Sequence, residues 1–160
     1  MVTSMMSVLV VDRVPRRTLL IWGHLGMGIS HFMVAIFYDL NMNYGILAMI
    51  LLFITTFQNS SGVVAWLYAA ETVIDPALGL CLLSLWGTTF FLSLTTPLLL
   101  NKDVLGPKGV FYLFAGYSIA GMIYSAIFMK ETYGKTDKYK KELYLPKKFK
   151  VEDHSDEDSN

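Results

Sequence analysis

Tyr44–Ala70 reads YGILAMILLFITTFQNSSGVVAWLYAA, and this stretch decides the fold class. Its 27 residues include no Asp, Glu, Lys or Arg. About 20 helical residues cross the roughly 30 Å hydrocarbon core of a bilayer. The stretch exceeds that length, and tilt or an overhang absorbs the surplus. It lacks the strict alternation of a barrel strand, so it reads as one transmembrane helix.

Working outward, three more stretches qualify. They are Thr18–Tyr38, Ala77–Leu100 and Gly109–Met129, with 21, 24 and 21 residues and no formal charge apart from histidine. The connectors Asp39–Asn43, Glu71–Pro76 and Asn101–Lys108 are short, which suits antiparallel neighbours. The expected fold is therefore an all-α membrane protein with four full transmembrane helices within residues 1–130. Met1–Val11 is apolar but only 11 residues long, about 16 Å of helix, too short to span alone. It reads as a short N-terminal half-helix, the end of a helix whose beginning is absent. Residues 131–160 read as a polar tail, and the acidic run Glu152–Asp158 is expected to be disordered.

Charge is sparse and segregated. Only 16% of residues are charged, against roughly 25% in an average soluble domain. Arg13, Arg16 and Arg17 precede the first span, and eight lysines from Lys130 to Lys150 follow the last. Four spans separate the clusters, so both face one side. The positive-inside rule makes that the cytoplasmic side or its equivalent. A plasma membrane or an organellar one, such as the mitochondrial inner membrane, accommodates this. The basic tail reads as solvated and orienting, with contact to anionic headgroups as the alternative.

Enzyme chemistry has no support. The chain lacks a phosphate-cradling glycine loop, metal-ligand spacing and a nucleophile elbow, so no cofactor, metal or nucleic acid is expected. The lone Cys81 excludes an intramolecular disulfide. His24 and His31 are seven apart, on one helix face. They read as helix–helix contacts rather than as a proton relay or metal pair. Small residues recur at fourfold spacing in Ser61/Ala65/Ala69, Gly116/Ala120, Gly121/Ser125 and Gly26/Ser30, as close-packed helices in lipid require.

One polar patch stands out, Gln58-Asn59-Ser60-Ser61-Gly62, followed by Trp66. In the third span Trp86 precedes Thr88 and Thr89. Polar groups at membrane depth must face protein, water or a ligand. Amides and hydroxyls beside an indole face suit a sugar, whose hydroxyls they bond while the ring covers its C–H face. Interhelical bonding and core packing are the plainer reading.

These residues also carry a resemblance. Asp12-Arg13-Val14-Pro15-Arg16-Arg17-Thr18-Leu19-Leu20 resembles the D-R-x-G-R-R-x-L-L loop of the major facilitator superfamily, sugar porter branch. Trp66–Glu71 resembles the P-W-x-x-x-E stretch of the family's tenth helix. Gly109–Ala115 resembles the start of its twelfth helix, and Glu131–Thr136 the P-E-T-x-G-x-T signature after it. The motifs fall in family order at family spacing, so the chain corresponds to the end of helix eight through helix twelve, a partial bundle of the C-terminal half. The resemblance implies alternating access to a monosaccharide bound between two halves. It assigns sugar contacts to Gln58, Asn59, Trp66, Trp86 and Thr89. It assigns a cytoplasmic gating network to Asp12, Arg13, Arg16, Arg17, Glu71 and Glu131.

Several positions depart from the pattern. Pro15 replaces the loop glycine, and Lys130 replaces the proline of the tail signature. Val63 and Ala65 stand where the tenth helix commonly has prolines, which implies an unbroken span. No arginine follows Glu71 at the family position, which implies a network short of one partner. Two functions fit. One is part of a monosaccharide transporter, not competent alone and needing a second half. The other is a non-transporting accessory subunit of a larger membrane complex. Membrane lipid is a partner in both.

Overall fold

A computed structural model describes residues 14–73, 75–136, 139–140 and 143–144. The expected half-helix, Asp12, Arg13 and the acidic end of the tail lie outside these residues. The described structure is helical, with α1 at Arg16–Asp39, α2 at Asn43–Asn59, α3 at Ser61–Thr72, α4 at Asp75–Leu99 and α5 at Gly106–Phe128. Among the described residues four spans are long and apolar enough to cross a membrane, with α2 and α3 counting as one, Asn43–Thr72.

Side-chain contacts fix the alternation of direction. Lys108 near the start of α5 pairs with Asp39 at the end of α1. Arg16 at the start of α1 pairs with Glu71 at the end of α3. The chain therefore runs up and down between a basic end and a far end. The Lys108–Asp39 pair is solvent-exposed, so it marks the geometry more than it stabilises it.

The turn after α1 has a local cause. Asn41 adopts the left-handed conformation (φ 54°). The Met42 amide reaches back to the Phe37 carbonyl at 3.0 Å, and that of Asn41 to Tyr38 at 3.2 Å. This pair of bonds closes a helix end, and Asn tolerates the left-handed position better than most residues. At the other connector, α5 begins three residues earlier than the apolar run indicated. Pro107 in its first turn has no amide to leave unpaired, and Lys108 sits where the helix end meets solvent.

α1 is the central helix. It packs against α5, α2 and α3, and Leu20, Met27, Val34 and Ala35 along it are buried. In lipid, apolar surface alone does not drive helices together, so close approach matters more. Three glycines of α1 provide it. Gly23 faces Ser60, Gly26 faces Thr56, and Gly28 faces Ala115 and Ser118 of α5. Of the small-residue ridges, Gly121 receives the His24 ring, whereas Gly116 has open space beside it. At the basic end Leu20 and Val64 form a core flanked by Leu19, Val63, Leu67 and Met129.

The second span is not one helix. It breaks at Ser60, whose backbone (φ −124°, ψ −94°) belongs to neither neighbour. The absence of proline had implied continuity. The Ser60 hydroxyl instead bonds the Thr56 carbonyl at 2.8 Å, a back-bond that bends helices. Its side chain is seated in the notch left by Gly23, and Gly62 follows directly. A Ser-Ser-Gly step with a glycine opposite thus does the work of a proline.

α4 contrasts with α1. It touches α3 and α5 only lightly, and within its spanning stretch no residue is buried.

Candidate functional site

The break at Ser60 aims the polar patch. Successive helical residues are 100° apart, so Gln58 and Asn59 cannot share a direction. Gln58 lines a cleft of about 570 Å³ between α3 and α4. Trp66, Trp86 and Thr89 line the same cleft, with Ser61, Ala65 and Ala69 opposite α4. Four of the five residues assigned to sugar contact are therefore together. Asn59 is not among them. It lines a separate crevice beside Trp22 and Gly23, and its amide bonds the Thr55 carbonyl at 2.8 Å. The small-residue ridge is what opens the cleft, because residues of this size leave room where α4 would otherwise close on α3. Trp86 is 65% exposed, so its indole face is free to meet another surface. The Thr89 hydroxyl donates to the Leu85 carbonyl at 2.9 Å and keeps its lone pairs as acceptors.

The basic end holds an ionic network. Glu71 lies in the last turn of α3, where a carboxylate opposes the helix dipole. Three groups compensate. Arg16 Nη2 lies 2.8 Å and Lys140 Nζ 3.2 Å from its Oε1, and the Thr132 hydroxyl donates to Oε2 at 2.9 Å. The implied shortage of a partner is thus made good from the tail.

Glu131 does something different from forming an ion pair. Its Oε1 accepts the amides of Arg16 at 3.0 Å, Thr132 at 3.1 Å and Tyr133 at 2.9 Å. Its Oε2 accepts the Arg17 amide at 3.2 Å. Pro15, at the cap position of α1, provides no side-chain acceptor. Glu131 therefore caps α1 from 115 residues away, meeting its first amides and its positive dipole end with one negative charge. Arg17 joins Glu131 through its backbone. Its guanidinium instead bonds the Ala126 carbonyl in the last turn of α5, where helix carbonyls lack partners.

The first part of the tail is seated on the bundle rather than solvated. Leu143 is buried, and its carbonyl accepts from Lys130 Nζ at 3.0 Å. The Tyr68 hydroxyl donates to the Lys130 carbonyl at 2.9 Å and lies 2.5 Å from the Tyr144 hydroxyl. A basic composition hid this contact, although Leu143 and Tyr144 were apolar signals within it. Tyr68→Phe takes the Tyr68 donor from the Lys130 carbonyl and the Tyr68 contact from the Tyr144 hydroxyl, at a cost of about 1–2 kcal/mol, while the Lys130 amide keeps the Tyr144 hydroxyl. Trypsin cleavage after Lys140 should become at least several-fold faster. An unchanged cleavage rate would mean that Tyr68 does not hold the tail.

The two spanning histidines do not meet. His24 Nδ1 lies 2.8 Å from the Leu20 carbonyl, and His31 is surrounded by aromatic rings. Among the described residues no cluster of His, Cys, Asp and Glu could hold a metal.

Comparison with known proteins agrees with this architecture. Residues 1–143 match the family described as Sugar (and other) transporter. The chain belongs to the sugar transporter family. Among curated relatives it is 32% identical over 149 residues to solute carrier family 2, facilitated glucose transporter member 2, of Rattus norvegicus, covering 85% of this chain and 27% of that protein. It is 28% identical over 137 residues to hexose transporter 1 of Plasmodium falciparum (80% and 27%). It is 30% identical over 141 residues to the glucose transporter GlcP of Staphylococcus epidermidis (83% and 31%). This sugar transporter family member thus spans about 27% of the length of the first relatives it matches. It is an integral membrane protein with four apolar spans among its described residues.

Proposed function

We propose that this sugar transporter family member supplies one wall of a monosaccharide path. It would correspond to the C-terminal half of the family fold, with its basic end on the cytoplasmic side. The observation that carries this reading is the meeting of Gln58, Trp66, Trp86 and Thr89 in one cleft. Gln58 provides an amide, Thr89 a hydroxyl acceptor, and the two indoles apolar faces for sugar C–H groups. Trp86 is open on its outer side, so the cleft needs a second half to close over the substrate. Arg16, Glu71, Glu131 and Lys140 would form the latch that yields when the halves rock. Asp12 and Arg13 belong to the same proposed latch by motif.

The test is uptake of radiolabelled D-glucose by native membrane vesicles, comparing wild type with Gln58→Ala and Trp86→Ala at matched expression. At least a tenfold loss of saturable uptake is expected for either variant. The second reading, an accessory subunit, draws on α4, whose span has no buried residue and so offers a whole helix to other subunits. Unchanged uptake in both variants would favour it, as would recovery at fixed stoichiometry with unrelated subunits after gentle extraction.

A further inference from the structure

His31 lies 15 residues past Arg16 and eight before Asp39, about 22 Å and 12 Å along the α1 axis at 1.5 Å per residue. That depth is within the hydrocarbon layer. An imidazole there is costly unless something bonds it. Among the described residues nothing does so. His31 has ring contacts but no hydrogen bond, unlike His24 one face-repeat earlier.

The space beside it is a half-open pocket of about 450 Å³ lined by α1, α2 and α5, within the usual range of small-molecule sites. Its walls are aromatic. The His31 ring centroid is 4.4 Å from that of Phe53, 5.8 Å from Phe114 and 6.0 Å from Phe111. Ser118 also lines it, and its hydroxyl donates to the Phe114 carbonyl at 3.0 Å and keeps its lone pairs as acceptors. No charged side chain lines it. The cavity therefore selects against ions. A lipid with a charged headgroup would hold that group at the interface, about 12 Å from His31 by the same helical rise. A bare acyl chain would leave the imidazole unbonded. A flat ring would fit between phenyl faces in offset or edge-to-face geometry.

We propose that this cavity binds an uncharged, flat, membrane-soluble ring compound carrying a hydrogen-bonding oxygen, a carbonyl or a phenol, bonded to His31. The site is separate from the cleft of Gln58 and Trp86, and it stands whether or not that cleft takes a sugar.

Benzophenone tests it, being an aromatic ketone that inserts into neighbouring C–H bonds on illumination. The full chain in phosphatidylcholine vesicles is irradiated with it and the adducts are mapped by mass spectrometry. Saturable adducts are expected in residues 27–34 and 111–118. His31→Leu should reduce them at least tenfold, and His31→Gln, which keeps a donor and an acceptor, should restore most of them. Competition of wild-type labelling by 1,4-naphthoquinone or 2-naphthol needs no variant and distinguishes a carbonyl ligand from a phenol. Labelling that never saturates, that spreads over α4, or that neither competitor reduces would overturn the proposal. So would equal saturable labelling of a folded His31→Leu chain.

Discussion

Glu71→Ala is expected to lower the unfolding free energy of the bundle by about 3–5 kcal/mol, the range for removing one partner of a buried ion pair. The side chains involved are well shielded, at 12% exposure for Glu71, 13% for Arg16 and 12% for Lys140. One carboxylate serves two cations and a hydroxyl, so its loss takes from Arg16 its ion-pair partner and from Lys140 and Thr132 a contact each. Arg16 Nε already has no hydrogen-bond partner, so the guanidinium has little to fall back on. Glu71→Gln should cost less, since its amide oxygen still accepts from one cation. Thermal unfolding of the purified chain in detergent should rank wild type above glutamine and glutamine above alanine. A Glu71→Ala chain within 1 kcal/mol of wild type would mean that the network contributes little to stability.

Gly23→Ala is the second large effect, with an expected loss of about 3 kcal/mol, the upper part of the usual range for overpacking. A Cβ at Gly23 would stand 2.0 Å from Ser60 Oγ and 2.1 Å from Ser60 Cβ. The second of these atoms cannot rotate away, so backbone must move, and α2 and α3 meet at that point. The clash names its own remedy. Gly23→Ala with Ser60→Gly should recover most of the loss, because the methyl then occupies the space the serine side chain held. A double variant no more stable than Gly23→Ala would rule out the notch as the cause. The same pair tests the break in the second span, since Ser60→Gly alone removes the back-bond to Thr56.

The spans and their order were legible because bilayer thickness imposes length and composition on each helix separately. Family membership was legible in the Arg16–Arg17, Trp66–Glu71 and Glu131–Thr136 motifs. The kink was not, because it depends on a glycine in α1 meeting a serine 37 residues later, and neither residue signals the other. The seated tail escaped for a similar reason: Tyr144 finds Tyr68 across 76 residues, and local composition there is basic. The placement of Asn59 could have been read. Adjacent residues on a helix diverge by 100°, so choosing Gln58 for the cleft already excluded its neighbour.

The cap of α1 bears on how the protein is made. A ribosome delivers Arg16 115 residues before Glu131. At 5–20 residues per second the interval is on the order of ten seconds. During that time the Arg16 end of α1 lacks the carboxylate that accepts its first amides. Its closure requires that every intervening span has already been inserted. A chain released before Glu131 would carry the four described spans and still have an uncapped α1. Glu131 thus makes the finished end of α1 depend on the arrival of the end of α5.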